Sequence, residues 1–152
     1  PDVFLDDYNK KEIKIIQARY MFARLAQELI LEGDNTKAIE VLDKMFELFP
    51  DTKMPLTYDS FPAASLYYQV SEIEKGNNLM RIMADNSFEM LEYYISLPAP
   101  FANSIQGEQN NEMSHLQNLL IVTRQYKQEE LYKEIDDKLK DMVSKLESEI
   151  GS

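Results

Sequence analysis

The sequence predicts an all-α fold of stacked antiparallel helix pairs. Three observations carry that expectation. Apolar residues recur every three to four positions through most of the chain, the period of a helix with one buried face. Nothing reads as a strand, and with only four glycines and six prolines among 152 residues the composition favours long helices over many turns. Finally, the pattern of small and large residues around Ala38 returns 38 residues later around Gly76. A helix-turn-helix unit that recurs in this way buries its apolar face against the next copy of itself.

Taken in order, residues 1–8 read as a short lead-in. Asn9 and Glu12 stand at capping-box spacing, which predicts a helix over about residues 10–32. Its apolar positions are Ile15, Ile16, Phe22, Leu25, Ala26, Leu29 and Ile30. Gly33 and Asp34 end it, because glycine tolerates the left-handed backbone that closes a helix. The second helix, about Thr36 to Phe49, gathers Ala38, Ile39, Leu42, Met45, Phe46 and Phe49 on one face and stops at Pro50, which cannot continue it. After a loop with Pro55, a third helix is expected from about Asp59 to Val70, with Pro62 tolerated in the first turn. Ser71 and Glu74 form a second capping-box pair, opening a fourth helix that reaches about Ser96 before Pro98 and Pro100. The polar stretch 99–112, which contains Gly107, fits either a loop or a helix with a soft start. Helical periodicity returns from Met113 to Tyr126. A last helix over about 128–150 spaces Leu131, Ile135, Leu139, Met142, Leu146 and Ile150 by threes and fours.

Aligned at the 38-residue offset, Leu25 meets Ala63, Ala26 meets Ala64, Leu29 meets Tyr67, Ala38 meets Gly76, Leu42 meets Met80 and Met45 meets Met83. The stretch LEGDNTKAIEVLDKMFELFP resembles the second half of a tetratricopeptide repeat. Gly33, Asp34, Ala38 and Pro50 occupy the turn, small-residue and closing positions of that family, and Phe22, Leu25, Ala26 and Leu29 match its first helix. A second unit departs from the pattern, with Ser71 for the turn glycine and Phe88 for the proline, and a third keeps only the helix pair. The resemblance implies one helical-repeat domain over residues 1–152, comprising repeat one at about 10–50, repeat two at about 57–97 and a divergent pair at about 99–150. About six helices would then form a short right-handed α-solenoid.

A second resemblance covers most of the chain. FLDDYNKKE, followed by ARYMFARLAQELILEGDNTKAIEVLDKMFELFP, is similar to the soluble carboxy-terminal region of a bacterial unknown-function family of multi-pass membrane proteins, themselves similar to protein O-mannosyltransferases. It implies a soluble tail at the extracytoplasmic, periplasmic face of a bacterial membrane, with any glycosyltransferase chemistry outside these residues. The opening Pro1, without an initiator Met, fits a processed product or an excised domain; Gly151-Ser152 could be native tail or an addition.

Composition narrows the function. The apolar fraction of 44% and mean hydropathy of -0.43 belong to a globular chain. No run approaches the roughly 20 apolar residues of a membrane span, so no direct insertion by this chain is expected. A formal charge of -11 argues against a nucleic-acid partner, since phosphate binding rests on Lys and Arg. Lys10, Lys11, Lys14, Arg19 and Arg24 cluster near the start but alternate with Asp2, Asp6, Asp7 and Glu12, the pattern of a solvated helix face. The absence of cysteine removes disulfides, thiolate nucleophiles and Cys-based zinc sites.

His115, the one histidine, has Glu108 and Glu112 near it in sequence but no evident partner for acid–base work. The pairs Asp6-Asp7, Glu129-Glu130 and Asp136-Asp137 point in different directions on a helix, unlike the facing carboxylates of a glycosidase. No calcium loop or phosphate-cradling glycine loop is present. The expectation is a non-enzyme without cofactor or metal. The tetratricopeptide resemblance implies a concave groove on the first helices, which falls on Tyr20, Ala23, Gln27 and Ile30, then Tyr58, Phe61, Ser65, Tyr68 and Gln69. Tyrosines suit such a surface because they bury area while keeping a polar tip; equally, Tyr58, Phe61 and Tyr68 could pack against a neighbouring helix. The expected partner is a protein or peptide segment, one candidate being the membrane domain of the same protein. The alternative is a carbohydrate-binding or accessory domain of a glycosyltransferase-like enzyme.

Overall fold

Six α-helices occupy most of the computed structural model, which describes residues 2–150. They are α1 (Asp2–Leu31), α2 (Asn35–Leu48), α3 (Phe61–Gln69), α4 (Ile73–Ser96), α5 (Ala102–Gln125) and α6 (Glu129–Ile150), with a single 3₁₀ turn at Ala99–Phe101. No strand occurs among the described residues. The fold is all-α, built from packed helix pairs as the periodicity predicts. The chain divides into two compact units, residues 1–79 and 80–152, and the division falls inside α4.

In the first unit α2 packs on α1, and α3 packs on both. Gly33 makes the α1–α2 turn with φ at 83°. Its N–H donates to the Ile30 carbonyl at 3.0 Å, and the Asp34 N–H donates to the Leu29 carbonyl at 2.8 Å. Together these bonds satisfy carbonyls that the helix end would otherwise leave open. Asp34 then caps α2, its carboxylate accepting from the Lys37 N–H at 3.1 Å. Ala38, Leu42 and Met45 are fully buried at i, i+4 and i+7, as is Ala26 on α1, while the Phe22 and Phe49 rings meet edge to face at 6.2 Å. Leu25 is an exception to the expected α1 face, being about half exposed at 52%.

The amino-terminal boundary differs from the sequence expectation. Residues 2–8 belong to α1, and Asn9 and Glu12 lie inside the helix. No glycine or proline interrupts residues 2–31, so the helix continues through a capping signal that acts only where the backbone leaves helical geometry.

α3 is nine residues long and buries Ala63, Ala64, Leu66, Tyr67 and Tyr68, with Pro62 in its first turn as expected. Ser71 is not a cap for α4. It lies in left-handed backbone, φ 64°, with its N–H bonded to the Tyr68 carbonyl and the Glu72 N–H bonded to the Tyr67 carbonyl. These are the same two bonds that Gly33 and Asp34 make, displaced by 38 residues. The alignment also holds at other positions: Ala26 and Ala64 are both 0% exposed, and Gly76 is buried like Ala38. A Cβ on Gly76 would lie 2.8 Å from the Tyr68 ring, so α3 and α4 approach closely at this small-residue position.

In the second unit α5 packs on α6. The stretch 99–112 is helical apart from the initial 3₁₀ turn, and exposed Gly107 is carried within α5. Lys127, φ 58°, makes the α5–α6 turn with the same bond pair, Lys127 N–H to Arg124 and Gln128 N–H to Thr123. Leu131, Ile135, Leu139 and Met142 are buried along α6, and Leu146 is half-buried. The Ile150 side chain, expected to extend that stripe, lies outside the described residues, as do Pro1 and Gly151-Ser152.

Candidate functional site

Where α1 and α3 run beside each other they leave a pocket of about 180 Å³. Each helix contributes a row at i, i+3, i+4 and i+7: Tyr20, Ala23, Arg24 and Gln27 from α1, and Pro62, Ser65, Leu66 and Gln69 from α3. That spacing places four side chains on one helix face. Of the residues expected from the sequence to line a groove, Tyr20, Ala23, Gln27, Ser65 and Gln69 are therefore brought together.

The other expected groove residues lie elsewhere. Tyr68 is only 3% exposed, and its hydroxyl donates to Asn77 Oδ1 at 2.7 Å while its ring abuts Gly76. The expectation that Tyr20, Tyr58 and Tyr68 share one exposed surface is thus corrected, because Tyr68 lies on the buried side of α3, whose open side carries Pro62, Ser65 and Gln69. Tyr58 is 73% exposed but does not line the pocket; Phe61 and Ile30 are half-buried outside it.

Four lining residues, Arg24, Asp59, Pro62 and Leu66, were not expected from the sequence, and two of them bring charge. Arg24 brings an exposed guanidinium to the rim. Asp59 is at the base, its carboxylate only 7% exposed and accepting from Thr57, Ser60 and Arg19. Arg19 is 1% exposed, not part of a solvated basic face. Its Nη2 donates to the carbonyls of Met54 at 2.7 Å and Phe49 at 3.1 Å, and its Nη1 to Pro55 at 3.3 Å and Asp59 at 3.4 Å. This one side chain ties α1 to the loop that delivers α3. Periodicity could not reveal it, because three of its four partners are backbone carbonyls.

Elsewhere in this unit, Asp43 on α2 accepts from the Tyr67 hydroxyl at 2.7 Å and from Lys75 Nζ at 2.7 and 2.8 Å. Phe46 stacks on Tyr67 with centroids 6.0 Å apart, and Lys75 lies 5.6 Å from the Tyr67 ring centre. Burial, reinforced by the Asp43 carboxylate, pushes the Tyr67 hydroxyl far above its ordinary range. Every strong group here is engaged within the protein, so the cluster reads as a clasp between α2, α3 and the start of α4.

In the second unit His115 lies well inside α5, not at a helix start, with Nδ1 2.9 Å from Ser87 Oγ. Both residues are buried, at 5% and 2% exposure, which leaves a substrate no approach to the serine. Burial, with Glu112 and Glu108 adding to it, raises the Tyr94 hydroxyl above its ordinary range. Among the described residues no group of three His, Asp or Glu side chains is placed to hold a metal ion. Asp136 pairs with Lys140 at 2.6 Å on the α6 surface.

No family model, curated protein or solved structure matches this chain. Function is therefore to be read from the α1–α3 pocket itself. Its lining presents two carboxamides, a phenol and a guanidinium over a base whose internal charges already satisfy each other. Such groups give and accept hydrogen bonds in the pattern that main-chain amides require.

Proposed function

We propose that this chain is a non-catalytic helical-repeat module, tetratricopeptide-like in design, whose α1–α3 pocket holds an extended segment of a protein partner. The convergence of Tyr20, Gln27 and Gln69 on that pocket is the observation that carries the reading. Glutamine amides on rigid helices can bond a peptide backbone, and an aromatic rim buries area at low entropic cost. The Arg19–Asp59 network beneath keeps the two rows in place, which lowers the cost of ordering the site on binding.

Random twelve-residue peptide display against the whole chain supplies the test. Selected peptides are expected to bind at least tenfold more weakly to the double variant Gln27→Ala/Gln69→Ala, with the thermal midpoint little changed since both residues are exposed. Peptides that bind the double variant equally well would remove the pocket from consideration. The similarity to tails of multi-pass membrane proteins extends the proposal: the bound segment would belong to the membrane part of the same polypeptide, at the periplasmic face. No described helix is long and apolar enough to cross a membrane. The full reading frame tests this extension, which requires transmembrane segments upstream.

A further inference from the structure

The second unit carries a separate feature. Three ion pairs link α4 to α6: Arg81 Nε to Glu134 at 3.2 Å, Lys138 Nζ to Asp85 at 2.9 Å and Lys145 Nζ to Glu92 at 3.7 Å. The last two are seven residues apart on each helix, about 10 Å along the axis at 1.5 Å per residue. Between them is a groove of about 340 Å³. Phe88 and Met142 line it and are 8% and 4% exposed. Glu89 and Asp141 also line it, and neither makes an ion pair among the described residues. Lys138 Nζ already lies 5.9 Å from the centre of the Phe88 ring, so a cation over this ring is part of the resting structure.

We infer that this groove receives an arginine side chain presented by a basic segment of a partner protein. The complementarity is local and specific in kind. Both of the unengaged charges are negative, the groove they line reaches the small exposed parts of Phe88 and Met142, and the ion pairs bound the space at each end. A guanidinium is planar, stacks on an aromatic face and offers donors to two carboxylates at once, whereas an ammonium is a compact, strongly hydrated point charge. The three-carbon stem of arginine would close over what remains exposed of Phe88 and Met142 while its head lies between Glu89 and Asp141. The net charge of -11 favours approach of such a segment from a distance. This inference is independent of the α1–α3 pocket, which lies in the first unit.

The probe is a blocked pentapeptide, Ala-Leu-Arg-Leu-Ala, titrated into the full chain carrying ¹³C-labelled methionine methyls. Its citrulline analogue, neutral but nearly the same shape, is the control. Saturable movement of the Met142 methyl is expected with the arginine peptide, at least tenfold weaker with the citrulline analogue and in Glu89→Gln/Asp141→Asn. Equal binding of the two peptides would overturn the inference, as would an unaltered response in the double variant. Weak shifts spread over methionines remote from the groove, with Met142 unmoved, would mark diffuse attraction and also overturn it. So would sedimentation showing a dimer that the arginine peptide cannot dissociate and that the double variant abolishes, because the occupant would then be a second copy of this chain.

Discussion

Gly33, Ser71 and Lys127 hold the same left-handed backbone and the same pair of turn bonds, yet only one of them is glycine. A side chain in this conformation costs about 1 kcal/mol relative to glycine. Ser71→Gly and Lys127→Gly should therefore each stabilise the protein by up to about 1 kcal/mol, and Gly33→Ala should cost about as much, as measured by urea denaturation. A loss of stability in both glycine variants would contradict the assignment of these positions as equivalent turns. The first turn is legible in sequence because glycine announces it. The second is misread because a serine three residues before a glutamate looks like a cap, and the third carries no local signal. Arg19 exposes the other limit of residue-level reading. Truncation to Ala leaves the carbonyls of Phe49 and Met54 without their donor and takes from the Asp59 carboxylate its cationic partner, though Thr57 and Ser60 still donate to it, and about 3 kcal/mol of destabilisation is expected.

Among the elements, α2 was the most readable, since a turn glycine, a capping aspartate, one apolar face and a proline all agree on its limits. α1 and α5 were less so. Each begins earlier than its apolar stripe, which marks only where packing starts: α1 meets no glycine or proline before its stripe, and α5 tolerates the exposed Gly107 at a cost of about 1 kcal/mol. The contacts α3 makes with its neighbours give two further tests. Gly76→Ala gains helix propensity but places a methyl against the Tyr68 ring, and the overpacking should win, with a net loss of about 1 kcal/mol. A double-mutant cycle with Tyr68→Leu should recover much of that loss; simple additivity would rule out the steric explanation.

The clasp around Asp43 makes stability depend on pH at the alkaline end. Tyr67 has its ionisation raised above the ordinary 10.0, so the folded state keeps a proton that the unfolded chain releases. The resulting stabilisation is complete below about pH 10 and is lost progressively as pH rises above that value. Tyr67→Phe should cost about 1 kcal/mol at neutral pH and show a shallower decline above pH 10. Parallel declines for the two proteins would exclude Tyr67 as the responsible group.

Over the whole molecule, 27 acidic against 16 basic side chains leave a chain that repels itself. The α4–α6 ion pairs are exposed and individually worth little. Screening by moderate salt should then relieve more repulsion than it removes attraction, and the thermal midpoint should rise between low and physiological ionic strength. A fall would assign the ion pairs a larger share than their exposure allows. Apolar periodicity and the repeat were enough to predict helix pairs and to point to the first-helix faces. Which of those faces stays open was not legible, because it depends on side chains such as Tyr68 turning inward around a nine-residue helix.

The Arg19 network also has a consequence in time. Its acceptors lie 30 to 40 residues away along the chain, so no local segment can satisfy the guanidinium. While the loop before α3 is unplaced, the charge must remain in water and the wall of α1 around it must stay wet. The α1–α2 hairpin, whose contacts are nearer in sequence, can form first, and closure of the loop over Arg19 becomes a late event on the way to the folded state. Substitution of Arg19 should accordingly leave the refolding rate nearly unchanged and appear almost entirely as faster unfolding in a stopped-flow chevron.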